Sequence, residues 1–187
     1  MSAPPSSILI LGGARSGKSR YALELARSLE GPVGFVATAQ ARDPEMARRI
    51  QRHRAERPAG WLTVEEPLEV AAALRTLAGR VGIVVMDCLT LWIANRMERE
   101  PTDEPILAEA DDLAKLLNER PYHAVLVSNE VGLGVHPETP DGLRFRDLLG
   151  VVNQKIAAQA DRVVLMAAGL PLVLKDRSPH ERPPEAP

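Results

Sequence analysis

Two features predict a doubly wound α/β fold with a mainly parallel sheet. An apolar run opens directly into a glycine-rich loop, and short apolar stretches then alternate with helix-length periodic ones along the chain. Ile8, Leu9, Ile10 and Leu11 form a continuous hydrophobic stretch ending in two glycines, as a strand buried on both faces does. Gly12-Gly13-Ala14-Arg15-Ser16-Gly17-Lys18-Ser19 follows. Tyr21, Leu23, Leu25, Ala26 and Leu29 then fall at helical spacing up to Gly31-Pro32, a stop signal. Strand, GxxxxGKS and helix together are the context a P-loop requires.

The residue types follow from the chemistry. Phosphate oxygens must approach the backbone closely, so glycines at 12, 13 and 17 keep Cβ atoms out of the way. Successive N–H groups and the helix N-terminus present partial positive charge to the anion. Lys18 is expected on the β- and γ-phosphates, and the Ser19 hydroxyl on Mg²⁺. A nucleoside triphosphate is the expected ligand.

Val33 to Thr38 reads as the second buried strand, and Thr38-Ala39-Gln40 ends it. Ligands of open α/β sheets lie beyond the carboxyl ends of strands, so these three residues either face the nucleotide or form an ordinary polar turn. Asp43-Pro44 opens a helix with a capping Asp and Pro at the first helical position, running to about Glu56. Met46, Ile50 and His53 share its apolar, inward-looking face, with Arg48, Arg49, Arg52, Arg54 and, just beyond, Arg57 around the remainder. Two readings compete. One is a solvated basic helix with an incidental histidine; the other is an anion-facing helix with neutral His53 as nucleophile.

Trp61 to Glu65 is extended and Pro67 to Ala78 helical, with Glu65 and Glu66 placed to favour that helix's N-terminus. Val81 to Asp87 is a buried strand ending in an acid, as a Walker B element does; Asp87 is the expected organiser of Mg²⁺. Cys88 to Glu100 and Ile106 to Arg120 are helices joined by a proline-containing loop. Cys88, the single cysteine, reads as a small packed residue and excludes an internal disulfide, which suits a reducing cytoplasm. Ala124 to Ser128 is the fourth strand. The glycine-spaced loop after it, Asn129 to Glu138, lies where a substrate lid or acceptor pocket belongs. Leu143 to Ala160 is helical, with Arg144, Arg146 and Asn153 as polar candidates near the site. Arg162 to Ala168 is a strand, and Leu172 to Lys175 returns antiparallel to it. The whole order is that of a RecA-like P-loop NTPase with a C-terminal antiparallel strand.

Residues 1–6 read as a flexible arm, 7–175 as a single nucleotide-binding catalytic domain, and 176–187 as a disordered proline-rich tail. A net charge of −2 and a pI near 6.1 speak against nucleic acid as the target. No apolar run is long enough for a membrane span, and no charged-then-apolar leader is present.

These residues resemble one family closely: the bifunctional adenosylcobinamide kinase / adenosylcobinamide-phosphate guanylyltransferase of cobalamin biosynthesis. The likeness is carried by Gly12 to Ser19, Ala37-Thr-Ala-Gln40, Asp43-Pro-Glu-Met46 and Arg49-Ile-Gln-Arg-His-Arg54. It continues through Trp61 to Glu65, Ser128-Asn-Glu-Val-Gly-Leu-Gly134 with Pro137-Glu138, and Gly150-Val-Val-Asn-Gln154. The resemblance implies two reactions at one nucleotide site. A γ-phosphoryl group passes to the hydroxyl of the cobinamide aminopropanol arm. GTP is then attacked at its α-phosphorus by a histidine, and the bound GMP passes to the phosphorylated corrinoid.

By the same resemblance His53 is the nucleophile, and Thr38, Ala39, Gln40, Arg54, Ala55, Glu56, Arg57, Glu65 and Asp87 surround the guanine nucleotide. It also implies a homotrimer. No Asn-Lys-x-Asp element for reading guanine occurs, and no general base for the kinase step stands out. An ordinary small-molecule kinase with a structural His53, and a regulatory P-loop ATPase, are the rival readings.

Overall fold

The computed structural model describes residues 4–177; most of the proposed tail, and the first three residues of the proposed N-terminal arm, lie outside them. Within that range seven strands form one sheet in the order β3-β2-β4-β5-β1-β6-β7. The strands are β1 (Ser7–Gly12), β2 (Val33–Ala37), β3 (Leu62–Glu65), β4 (Ile83–Asp87), β5 (His123–Val127), β6 (Arg162–Ala167) and β7 (Leu170–Asp176). All pairings are parallel except β6 with β7, which are antiparallel. Parallel neighbours require crossovers, and the helices supply them.

Strand pleating divides the core in two. Leu9 and Leu11 of β1, Val84 and Met86 of β4, and Ala124 and Leu126 of β5 face one layer. Ile10, Ile83, Val85, Val125 and Val127 face the other. The first layer is thick: α3 (Val70–Leu77), α4 (Leu89–Met97), α5 (Glu104–Glu119) and α6 (Pro140–Gln159) pack there around Trp92, Ile93 and Leu113, all fully buried. The second is thin. α1 (Lys18–Ser28) buries Ala22, Leu23 and Ala26 against the sheet, while α2 (Pro44–Ala55) buries no residue.

Element ends move by a few residues from the sequence expectations, for local reasons. α3 begins at Val70 rather than near Pro67, because the Glu66 carboxylate accepts the N–H groups of Leu68 and Glu69 and holds them in a turn. α6 begins at Pro140, before Leu143: the Thr139 hydroxyl accepts the Gly142 N–H, and Pro140 occupies the first helical position. α2 begins where expected, with the Asp43 carboxylate accepting the Met46 N–H at 2.7 Å.

At the N-terminus, Ser6 is bonded through its N–H to His123 Nδ1, and Arg120 donates to the Pro5 carbonyl. Because β1, β2, β4 and β5 run parallel, their carboxyl ends share one edge of the sheet. The chain goes from β1 to β2 on one side of β1 and from β5 to β6 across it, which leaves a crevice above the end of β1.

Candidate active site

The crevice begins with the cradle. Gly12 has φ +148°, and a Cβ there would lie 2.5 Å from the Met166 carbonyl oxygen and 2.7 Å from Ser16 Oγ. Only glycine fits. Gly17, at φ +96°, caps α1 without a side-chain hydrogen bond, and no acid occupies the first turn of that helix. The N-terminal dipole therefore remains available to an external anion. Lys18 lies buried, its Nζ donating to the Gly13 carbonyl at 2.6 Å and lying 3.5 Å from Ser16 Oγ. Burial lowers its pKa, while the nearby Cys88 and Asp87 act in the opposite direction. An ammonium so placed gains from a phosphate partner.

Beyond the cradle, a cleft lies between α2 and the ends of β2, β3 and β4. Met46, Arg49, Ile50 and His53 form its helical wall, extended by Arg57 just past α2; Ala39, Glu65, Asp87 and Cys88 lie opposite. His53 Nδ1 is 4.0 Å from Asp87 Oδ2, with the histidine side chain 31% exposed and the carboxylate 14%. The inward-looking face expected of α2 thus borders an open cleft rather than a packed core.

Arg57 lies with its guanidinium carbon 3.8 Å from the Phe35 ring centroid, and Phe35 stacks on Trp61 at 6.4 Å. Its Nε and Nη1 are buried and have no hydrogen-bond partner among the described residues. Burial lowers the Arg57 pKa, with Asp87 opposing. Arg54, by contrast, is engaged by Glu65. Two arginines three residues apart are therefore in different states: one paired with a carboxylate, the other stacked on Phe35 with two guanidinium nitrogens unbonded.

The loop after β2 is fixed rather than free. The Thr38 hydroxyl donates to the Cys88 carbonyl and accepts the Cys88 N–H, both at 2.8 Å, and is fully buried. Of the three residues singled out there, Ala39 lines the cleft, Thr38 joins β2 to β4, and the Gln40 amide oxygen accepts from Arg42. Ala55 ends α2, and the Glu56 carbonyl accepts from Arg27, tying α2 to α1; both of these side chains are exposed outside the cleft. Burial pushes the Cys88 thiol up to about 12, as befits a packed residue. Of the α6 candidates, Asn153 bonds Ser128 and the Asn129 carbonyl, whereas Arg144 is drawn to Asp103 and the Glu100 carbonyl.

Arg49, expected on the remainder of α2, lies instead on the cleft wall one turn before His53. Two further contributors escaped sequence reasoning. Asn95 of α4 donates to the Thr38 and Pro67 carbonyls, and Arg42 donates to Asn95 and pairs with Glu98. Nothing in the local sequence signals that these two fasten the loop leading into α2.

A cradle of backbone N–H groups at a helix N-terminus, beside a parallel strand that ends in an acid, defines a nucleotide-binding P-loop protein of RecA-like fold. A KaiC-like protein from Pyrococcus horikoshii OT3 shares that fold, with a TM-score of 0.53 at 15% identity over 92% of this chain and 79% of its own. Within this class, the family model for cobinamide kinase / cobinamide phosphate guanyltransferase matches residues 8–174, and the chain belongs to that enzyme family.

The bifunctional adenosylcobalamin biosynthesis protein CobP of Pseudomonas aeruginosa is 48% identical over 169 residues, covering 89% of this chain and 96% of that one. The corresponding CobU of Escherichia coli K12 is 36% identical over 180 residues, covering 90% and 99%. Among the described residues no helix is long and apolar enough to cross a membrane.

Proposed function

We propose that this chain phosphorylates the aminopropanol hydroxyl of adenosylcobinamide with ATP or GTP, then transfers GMP from GTP through His53 to give adenosylcobinamide-GDP. The observation that carries the reading is the joint placement of His53, Asp87 and the unpartnered Arg57 in a cleft beside the Lys18 cradle. The names of the curated relatives supply the two activities.

In the guanylyl step, Asp87 faces Nδ1 of His53, which keeps its proton and leaves the Nε2 lone pair for attack. The Nε2–phosphorus bond forms as the bond from the α-phosphorus to its bridging oxygen breaks, and pyrophosphate leaves. Positive charge appears on the imidazole, where the Asp87 carboxylate stabilises it. Arg57 and Arg49 face the phosphoryl oxygens, and Lys18 holds the departing pyrophosphate in the cradle. The corrinoid phosphate then attacks phosphorus, the N–P bond breaks, and His53 returns to its neutral form.

Among the described residues no cluster of three or more His, Cys, Asp or Glu forms a closed metal cage. One hydroxyl, Ser19, and one carboxylate, Asp87, are the hard oxygen donors that would hold Mg²⁺ here. The ion supplies charge neutralisation on the phosphates when bound.

Residues 7–175 act as one catalytic domain in this reading, in the cytoplasm. A homotrimer follows from the family resemblance, and the exposed Leu170, Leu172 and Leu174 of β7 are apolar surface that such an assembly could cover. Sedimentation of the purified chain tests the trimer.

The decisive experiment is incubation with α-labelled GTP. Wild type should retain label after denaturation in alkali and lose it in acid, as a phosphoramidate does, and His53→Ala should retain none. Equal labelling of that variant would eliminate the nucleophile assignment.

A further inference from the structure

The loop after β5 is the one motif the reading above leaves without a role. Its first residues are held rigidly. Ser128 N–H donates to the Ile10 carbonyl, and Asn129 N–H to Thr90 Oγ1 at 2.8 Å. Asn153 grips Ser128 and the Asn129 carbonyl from α6, and Glu130 N–H donates to the carbonyl of Gly12, the first cradle residue, at 3.1 Å. Immediately afterwards the loop opens into solvent, with Leu133 84% and Val135 94% exposed. Glu130 therefore stands at the boundary between a fixed backbone and an open face, beside the cradle.

Three parallel strands, β5, β4 and β2, lie between the cradle and Glu65, and only β4 and the loop after β5 supply a carboxylate there. Asp87, the last residue of β4, lines the His53 cleft, whereas Glu130 lies three residues past β5, the strand paired directly with β1. On the other flank of β1, β6 ends in Ala167-Ala168-Gly169 and offers no acid. Glu130 has no ion-pair partner among the described residues, and its carboxylate accepts only the Gly132 N–H, at 2.7 Å.

We propose that Glu130 is the general base of the phosphoryl-transfer step. This rests on the kinase half of the function proposed above. The corrinoid hydroxyl oxygen bonds to the γ-phosphorus, the bond from that phosphorus to the β,γ-bridging oxygen breaks, and the hydroxyl proton passes to the Glu130 carboxylate. Nucleoside diphosphate leaves, and the carboxylic acid returns its proton to water. The exposed Gly132–Val135 stretch, two residues beyond Glu130, borders the space where an acceptor would enter.

Glu130→Gln separates this role from loop shaping, because the amide oxygen still accepts the Gly132 N–H. Phosphorylation of adenosylcobinamide by ATP should fall about 10²-fold in kcat, with KM for ATP unchanged within about twofold. The fall in rate on the acid side of the wild-type pH profile should disappear. Glu130→Ala should regain activity with added formate, a readout that a purely structural carboxylate does not move. A Gln variant within about threefold of wild type that keeps its acid-side fall would overturn the assignment, as would an Ala variant that formate leaves unchanged. If wild type itself phosphorylates no cobinamide, the parent reading fails instead.

Discussion

The cradle and α2 both face the nucleotide crevice, yet they are built in opposite ways. The cradle joins β1, which is central in the sheet, to α1, and its turn is enforced by a backbone carbonyl 2.5 Å from where a Gly12 Cβ would lie. α2 buries no residue and is held at its ends. Arg42, Asn95 and Asp43 fasten its start; Arg27, Phe35 and Glu65 hold its finish. A phosphate-binding turn must be rigid, since its N–H groups bind only if they converge. A helix whose inner face lines an open cleft cannot have that face sealed by packing.

Lys18→Ala attacks the shared element and should have the largest effect. Both cobinamide phosphorylation and self-labelling from α-labelled GTP are expected to fall by at least about 10²-fold. Full kinase activity in this variant would divide the site in two.

Paired truncations measure the packing contrast directly. Ile93→Ala, in the thick layer, should cost about 2–5 kcal/mol in denaturant unfolding, whereas Ile50→Ala, on α2, should cost under about 1 kcal/mol. Equal costs would mean that α2 is part of the core.

Arg57→Ala should weaken GTP binding by about 10- to 100-fold in calorimetry while barely moving the melting temperature. Arg57→Lys should not restore it, since an ammonium lacks the planar fork.

The smallest effect belongs to the thick layer. Burial pushes the Glu109 carboxyl up to about 7 against the pull of Arg96, 3.2 Å away. Between pH 4.5 and 7 the folded chain keeps a proton that the unfolded chain has released, so stability falls as pH rises through that window. Glu109→Gln should flatten this slope, by on the order of 1 kcal/mol after solvent screening. An unchanged slope would place the titration elsewhere.

Much of the architecture was legible in the residues because each element carries its own punctuation. Asp43-Pro44 capped α2, Gly31-Pro32 ended α1, and the apolar run 8–11 announced a strand buried on both faces. The limits were equally physical. Glu65 and Glu66 looked alike as helix-favouring acids, yet Glu66 turns the chain into α3 while Glu65 faces Arg54 across the cleft. Adjacent strand and turn residues point in different directions, and composition does not record which.

Local sequence by itself announced the cradle, since glycines, a lysine and a serine within eight consecutive residues supply the close backbone approach and positive charge a phosphate needs. It also determined the alternation of strands and helices that forces a covered parallel sheet. Tertiary structure alone decided that Arg54 pairs with Glu65 while Arg57 keeps Nε and Nη1 unbonded, that His53 stands 4.0 Å from Asp87, and that the Glu130 backbone bonds Gly12. Those pairings join residues far apart in the chain, and they exist only because parallel strands deliver their carboxyl ends to a common edge.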